Sequence, residues 1–170
     1  TTAEQVFAQL YANPDVNVEA FSAGRQMNCH FATKMVNENG EWLDLAGLKN
    51  ISSDIAPTAG QMPRALGLAY ASKAFRNIDV LQTFKGLSQN GNEVCFVTIG
   101  DASTSEGVFW EAINAAAVIK APMAVSVWDD GYGISVPTAL QTTKQSISRL
   151  LEGFHIDENG EGIYLYTCKA

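Results

Sequence analysis

Positive charge is in short supply in this chain: 11 lysines and arginines stand against 18 aspartates and glutamates, a formal net charge of -7. That balance leaves no electrostatic footprint for nucleic acid or an anionic membrane, and neither is expected as a partner. Cysteine is scarce and odd in number; Cys29, Cys95 and Cys168 form no CxxC pair and have no histidine at zinc-ligand spacing. They are expected to be buried packing residues in a reducing, cytoplasmic setting. Neither GxGxxG nor GxxxxGK[ST] occurs, which argues against dinucleotide and P-loop sites. Long apolar runs are missing too. The most apolar window, AINAAAVIKAPMAVSVW, is interrupted by Asn114, Lys120 and Pro122, and no leading basic-plus-apolar stretch resembles a secretion signal.

What is present is a chain 46% hydrophobic over 170 residues, enough for a sizeable core in a single domain, 1–170. It opens on Thr1 and closes on YTCKA, a strand-like run without turn chemistry, so a piece of something larger, truncated at both ends, is expected.

TAEQVFAQLYA places Val6, Phe7, Leu10 and Tyr11 on one helical face, with Thr2 as cap. From Asn13 to Asn50 periodicity is poor and Gly24, Gly40 and Gly47 interrupt it, predicting loop with short helical pieces. GQMPRALGLAYASKAFRN reads as a helix with Pro63 in its first turn. NEVCFVTIG and PMAVSVW read as strands buried on both faces, separated by the helix STSEGVFWEAINAAAVIK; SISRLLEGF and IYLYTC add a helix and a strand. Alternation of this kind predicts an α/β fold, a Rossmann-like parallel sheet with helices on both faces. Ligands then bind beyond the carboxyl ends of the strands.

Two acidic clusters stand there: Gly100-Asp101 and Asp129-Asp130, the latter followed by Gly131. Each has a plain structural explanation. Ser103 and Glu106 have capping-box spacing, and Asp-Asp-Gly makes a turn. Each also has a functional one. The N–H groups of Ala102, Ser103 and Thr104 could meet a phosphate. Asp101 would repel that phosphate unless a metal sat between them, and Mg²⁺ takes carboxylate and phosphate oxygens together. Adjacent parallel strands lie about 5 Å apart, so one ion could be shared by residues from both strand ends.

GDASTSEGVFWEAINAAAVIKAPMAVSVWDDGYGIS resembles the thiamine diphosphate signature, in which Gly-Asp-Gly is followed, after a helix and a strand, by Asn-Asn. Its SEG…DDGYGIS frame is similar to SEG…NNGYAIS of the α subunit of the 2-oxoacid dehydrogenases, the decarboxylating first component of the pyruvate and branched-chain complexes. APTAGQMPRALGLAYASK resembles that family's SPxATQIPxAxGAAYAAK, and GRQMNCHF its GRQMPxHY. The resemblance implies a thiamine diphosphate-binding fold in which Asp101, Asp130 and the carbonyl of Tyr132 hold Mg²⁺. It sets Gly100 beside Asp101, directs the N–H groups of Ala102 and Ser103 at the diphosphate, and places Ala56, Thr58 and Ile134 along the cofactor's middle and aminopyrimidine.

His30 is by itself a structural or solvated loop residue; the resemblance offers it as a catalytic, active-site channel residue. The implied activity is decarboxylation of a 2-oxoacid with acyl transfer to a lipoyl-bearing acyltransferase component, in an α2β2-type assembly. The activating glutamate would come from a β subunit or fused β part. GRQM leans toward branched-chain substrates. Three departures stand out: Ala102 for the last glycine of Gly-Asp-Gly, Asp129-Asp130 for Asn-Asn, and Trp128 where some relatives carry a phosphate-binding arginine. The competing reading is a noncatalytic domain, or one binding another phosphate ligand, on a similar sheet.

Overall fold

The computed structural model describes residues 2–53 and 55–169. Its contacts divide the chain into two compact units, one of Thr1–Ile55 with Phe84–Gln89 and one of Ala56–Thr83 with Asn90–Ala170.

The first unit opens with helix α1, Ala3–Leu10. Thr2 is extended, its hydroxyl accepts the Gln5 N–H at 3.3 Å, and the Gln5 side chain accepts the Thr2 N–H at 2.9 Å, a capping box satisfying two orphan donors. The expected apolar face does not turn inward. Val6, Phe7, Leu10 and Tyr11 are exposed, and Ala8 and Gln9 are the buried residues. The helical period holds and the buried face differs, because a period fixes which residues share a face and not what covers it. Beyond α1 the described residues of this unit hold turns and a single bridge, Val36 with Trp42, and none of the short helices expected there.

A buried carboxylate organises this loop region. Glu19 is fully buried and accepts hydrogen bonds from the Ser22 hydroxyl at 2.6 Å and from the N–H groups of Phe21, Ser22 and Gly24 at 2.9, 2.9 and 2.8 Å. Burial pushes the carboxyl up, but the donors together outweigh it and hold it below the usual range. A depressed folded value means that the contribution to stability is present above the unfolded value of 4.5 and is lost as pH falls through the folded one. Glu19→Gln is therefore expected to cost about 1–3 kcal/mol near neutral pH. Urea unfolding of the two proteins across pH should show the gap closing under acid; a gap independent of pH would refute it.

In the second unit α2, Gln61–Asn77, buries Met62, Ala65, Ala69 and Ser72 at helical spacing, with Pro63 in the first turn where its missing N–H costs nothing. Strand β1, Cys95–Gly100, is followed by a 3₁₀ turn, Ala102–Ser105, and by α3, Gly107–Ile119. α3 buries Phe109, Ala112, Ile113 and Ala116, and ends at Lys120, which adopts the left-handed conformation. Strand β2, Met123–Trp128, then pairs with β1 in parallel, Cys95 opposite Met123 through Gly100 opposite Trp128. A hairpin of β3, Tyr132–Gly133, and β4, Val136–Pro137, leads through 3₁₀ turns to α4, Ile147–Leu151. The chain is thus mixed α/β, with a small two-stranded parallel sheet in the second unit.

One face of β1 enters the core. Val97 and Ile99 join Met62, Phe109, Ile113, Ile147 and Leu151 in one cluster. The opposite face does not match the expectation of burial on both sides: Phe96 is 67% exposed. Hydrophobic composition marks a strand as able to be buried, but coverage needs a second layer, and among the described residues none lies over Phe96.

IYLYTC is likewise no strand. Ile163 makes a single bridge to His155, and although Ile163 and Leu165 pack against the core, Tyr164 and Tyr166 are exposed. The alternation is that of a strand, and among the described residues no ladder partner lies beside it. Cys29 and Cys168 are exposed, against the expectation of buried packing residues, while Cys95 is half-buried and burial raises its thiol pKa. Lys73 donates to the carbonyl of Ile119 and ties α2 to the end of α3. Among the described residues no helix is long and apolar enough to cross a membrane.

Candidate functional site

The parallel register brings the carboxyl ends of β1 and β2 level, and the Asp101 N–H extends the ladder by donating to the Trp128 carbonyl at 3.1 Å. There the strands part. Asp101 (φ −55°, ψ −47°) enters the 3₁₀ turn, and Asp129 and Asp130 run into two overlapping Asx turns. In these, Asp129 Oδ1 accepts the Gly131 N–H and Asp130 Oδ1 the Tyr132 N–H, both at 3.0 Å. Gly131 has φ +82°, a conformation glycine adopts without steric cost.

Between the parted strand ends lies a cavity of about 560 Å³. Its walls include Asp101, Ala102 and Ser103 from the first strand end, and Asp130 and Tyr132 from the second. Gly100, Thr58 and Ile134 also line it, whereas Ala56 is exposed and lies outside the lining. His30 belongs to the first unit, where its carbonyl accepts the Gln9 amide at 2.5 Å and its Nδ1 lies 3.1 Å from the Asn28 carbonyl.

Asp101 is 3% exposed, and one carboxylate oxygen, Oδ2, is engaged by the Thr138 hydroxyl at 3.2 Å. Thr138, itself buried, also donates its N–H to the Gly131 carbonyl at 2.9 Å, so one residue ties the first strand end to the loop carrying Asp130. Asp101 Oδ1 and Asp130 Oδ2 take no hydrogen bond from the described residues. No lysine or arginine is among the residues lining this cavity. An anion entering it would need a cation to accompany it, and two carboxylates with nearby backbone carbonyls are hard oxygen donors suited to Mg²⁺. Among the described residues no three His, Cys, Asp or Glu side chains gather as a metal site, so such an ion would complete its shell from the backbone, water or an entering ligand.

The expected capping box of Ser103 and Glu106 does not form. Ser103 lies inside the 3₁₀ turn, Glu106 precedes α3 without a side-chain cap, and its N–H goes back to the Ser103 carbonyl at 3.2 Å. Of the three N–H groups expected to be free, that of Thr104 is used, donating to the Asp101 carbonyl at 3.1 Å. Those of Ala102 and Ser103 begin the turn and so lie outside its internal i to i−3 bonding. Ala102 keeps an ordinary negative φ, so alanine at this position carries no backbone strain. Trp128 lines the cavity with its indole N–H donating to the Ser126 hydroxyl at 3.1 Å.

Three contributors escaped sequence reasoning: Thr138, Gly133 and Gln141. Gly133 had a visible signal, as the second glycine of DDGYG, while Thr138 and Gln141 had none beyond their place after the turn.

Known proteins show the same kinship. The chain is 31% identical over 140 residues to the mitochondrial 2-oxoisovalerate dehydrogenase subunit alpha of Caenorhabditis elegans, covering 82% of this chain and 26% of that protein. It is 30% identical over 133 residues to the 2-oxoisovalerate dehydrogenase subunit alpha of Bacillus subtilis, covering 78% and 32%. The human mitochondrial subunit is 28% identical over 153 residues, covering 90% and 27%. The chain therefore spans about a quarter to a third of the length of these relatives. The sequence model described as the dehydrogenase E1 component matches residues 3–158, and the chain belongs to that family.

Proposed function

We propose that this chain is the cofactor-binding part of the α component of a thiamine diphosphate- and Mg²⁺-dependent 2-oxoacid dehydrogenase of branched-chain type, with a Rossmann-like fold of the thiamine diphosphate-binding kind. The observation that carries the proposal is the cavity at the ends of β1 and β2, whose lining holds two acidic residues, no cationic residue, and Ala102 and Ser103, the first two residues of the 3₁₀ turn. Asp101, Asp130 and the Tyr132 carbonyl would hold Mg²⁺, and the N–H groups of Ala102 and Ser103 would donate to diphosphate oxygens. When bound, thiamine diphosphate supplies the electron sink for loss of CO₂ from the 2-oxoacid. Thr138 keeps Asp101 oriented through its hydroxyl on Oδ2. A β part would contribute the activating glutamate, and a lipoyl-bearing acyltransferase would accept the acyl group.

The test is calorimetric titration of the full-length protein, with its β partner where one is needed. Thiamine diphosphate and Mg²⁺ together should bind tightly and each alone weakly; equal binding of the cofactor with and without metal would exclude the reading. Turnover of a panel of 2-oxoacids should favour branched side chains.

Gly100 provides a sharper probe. A methyl added there would meet nothing nearer than the Ser103 hydroxyl at 4.0 Å, so the protein tolerates it, yet the position lines the cavity. Gly100→Ala is expected to leave the unliganded unfolding temperature unchanged and to weaken binding of the cofactor with Mg²⁺ by about tenfold, the effect of losing roughly 1.4 kcal/mol of contact. Unchanged affinity would show that no ligand approaches this strand end.

A further inference from the structure

We infer that Gly133 and Ala102 are an interlocked pair that sets how closely the turn after β1 approaches the hairpin after Asp130, and hence the shape of the cavity between them. The inference rests on the proposed cofactor site and assigns Gly133 as a positioning residue for it.

Gly133 is not held by its backbone angles, since its φ lies outside the left-handed region. Space alone excludes a side chain. A Cβ built at Gly133 would fall 2.6 Å from the Ala102 Cβ and 2.3 Å from Gln141 Nε2, both closer than real Cβ contacts allow. The Ala102 methyl stands on the 3₁₀ turn whose first two residues line the cavity, and Gly133 stands on the strand that follows the Asx turn of Asp130. The two acidic loops therefore touch through the one methyl that Ala102 carries and Gly133 lacks.

The departures from the motifs this chain resembles run in opposite directions at these two positions. Where Gly-Asp-Gly has its last glycine the chain has Ala102, and where Asn-Asn-Gly-Tyr-Ala has alanine the chain has Gly133. A methyl has in effect moved from the hairpin to the turn, leaving the volume at the contact nearly constant, and volume-conserving exchanges of this kind are the ones packed interiors tolerate best.

A methyl restored at position 133 with Ala102 still in place has two ways out. It can push the turn away from the hairpin, separating Asp101 from Asp130, or it can displace the Gln141 amide, which also lines the cavity and whose Oε1 is buried without a hydrogen-bond partner. Either response changes the cavity, because Ala102, Gly133 and Gln141 all form its wall.

The experiment is a double-mutant cycle in the full-length protein, with its partner subunit where the enzyme needs one, using Gly133→Ala, Ala102→Gly and the double variant. Two quantities are read: unfolding temperature without ligand, and affinity for thiamine diphosphate with Mg²⁺ by calorimetry. Gly133→Ala is expected to lower the unliganded unfolding temperature and to weaken cofactor binding at least about tenfold, the scale of overpacking. The double variant, relieved of the Ala102 clash and left only with the Gln141 amide to swing aside at the end of its flexible side chain, is expected to bind at least about threefold better than Gly133→Ala, a recovery that two independent lesions would not produce. If Gly133→Ala fails to fold, a double variant that folds and binds supports the interlock equally. A double variant no better than Gly133→Ala, or a Gly133→Ala protein indistinguishable from wild type, overturns the inference. Should wild type bind no cofactor, the proposed function falls instead, and the unliganded unfolding temperatures still decide whether the pair is interlocked.

Discussion

Asp101→Asn is expected to weaken Mg²⁺-dependent binding of thiamine diphosphate by about 100-fold or more, a loss at least as large as that of groups that merely orient metal ligands. Turnover of a branched-chain 2-oxoacid should fall with it. The substitution is nearly isosteric, and an amide carbonyl can still accept the Thr138 hydroxyl that engages Oδ2 at 3.2 Å. What disappears is one negative charge at a cavity lined by no cationic side chain, and that charge is what a hard divalent cation needs. Calorimetric titration of Mg²⁺ at saturating cofactor reads the effect directly, and identical affinities in the two proteins would remove Asp101 from the ligand set. Asp130→Asn should act in the same direction. On the proposal that both carboxylates serve one ion, the double variant should lose less than the product of the two single losses.

Phe109→Ala is expected to cost about 3–5 kcal/mol of stability. Phe109 is fully buried on α3, within the cluster formed with Met62, Val97, Ile99, Ile113 and Leu151. It also meets Trp110 edge to face, with centroids 5.1 Å apart and planes at 88°. Truncation leaves a cavity lined by residues from α2, β1 and α3 that cannot all collapse into it, so both the transfer term and the cavity term apply. The candidate site is expected to feel the change, because Val97 and Ile99 belong to this cluster while the residue after Ile99, Gly100, borders the cavity. Denaturant unfolding of the full-length protein measures the loss; a change below about 1 kcal/mol would mean that the region repacks around the truncation.

How far these features could be read from the chain depended on whether they are local. Thr2 as the cap of α1, the helical spacing of Met62 and Ala69, and the strand-helix-strand alternation from Cys95 to Trp128 each arise from a few neighbouring residues, and each is present. Parallel pairing of β1 with β2 follows from that alternation, since a helical crossover returns the second strand in the direction of the first. That is why the order of residues suffices to set the aspartates after Gly100 and Trp128 at neighbouring strand ends.

The misreadings share the opposite cause. Phe96, and Val6 with Phe7 on α1, have the composition of buried faces and are exposed. Ile163 and Leu165 alternate as in a strand, yet among the described residues Ile163 makes a single bridge and no ladder forms. Ser103 and Glu106 have the spacing of a capping box, but the preceding turn is 3₁₀ and Ser103 sits within it. In each case the side chains carry the pattern and the outcome is decided by whether another segment arrives to cover, pair or cap them.

The sequence by itself determined the local periodicities, the order of strands and helices, and the identity of the acidic residues that follow each strand, because all of these rest on short-range sterics and on side-chain chemistry. Only the tertiary structure decided that Thr138 reaches back to Asp101, that Gln141 forms part of the cavity wall, and that a single missing Cβ at Gly133 makes room for Ala102. Those contacts join positions far apart in the chain, or depend on how one turn is seated against another, and such distances are set by the summed packing of the second unit and by no spacing visible along the sequence.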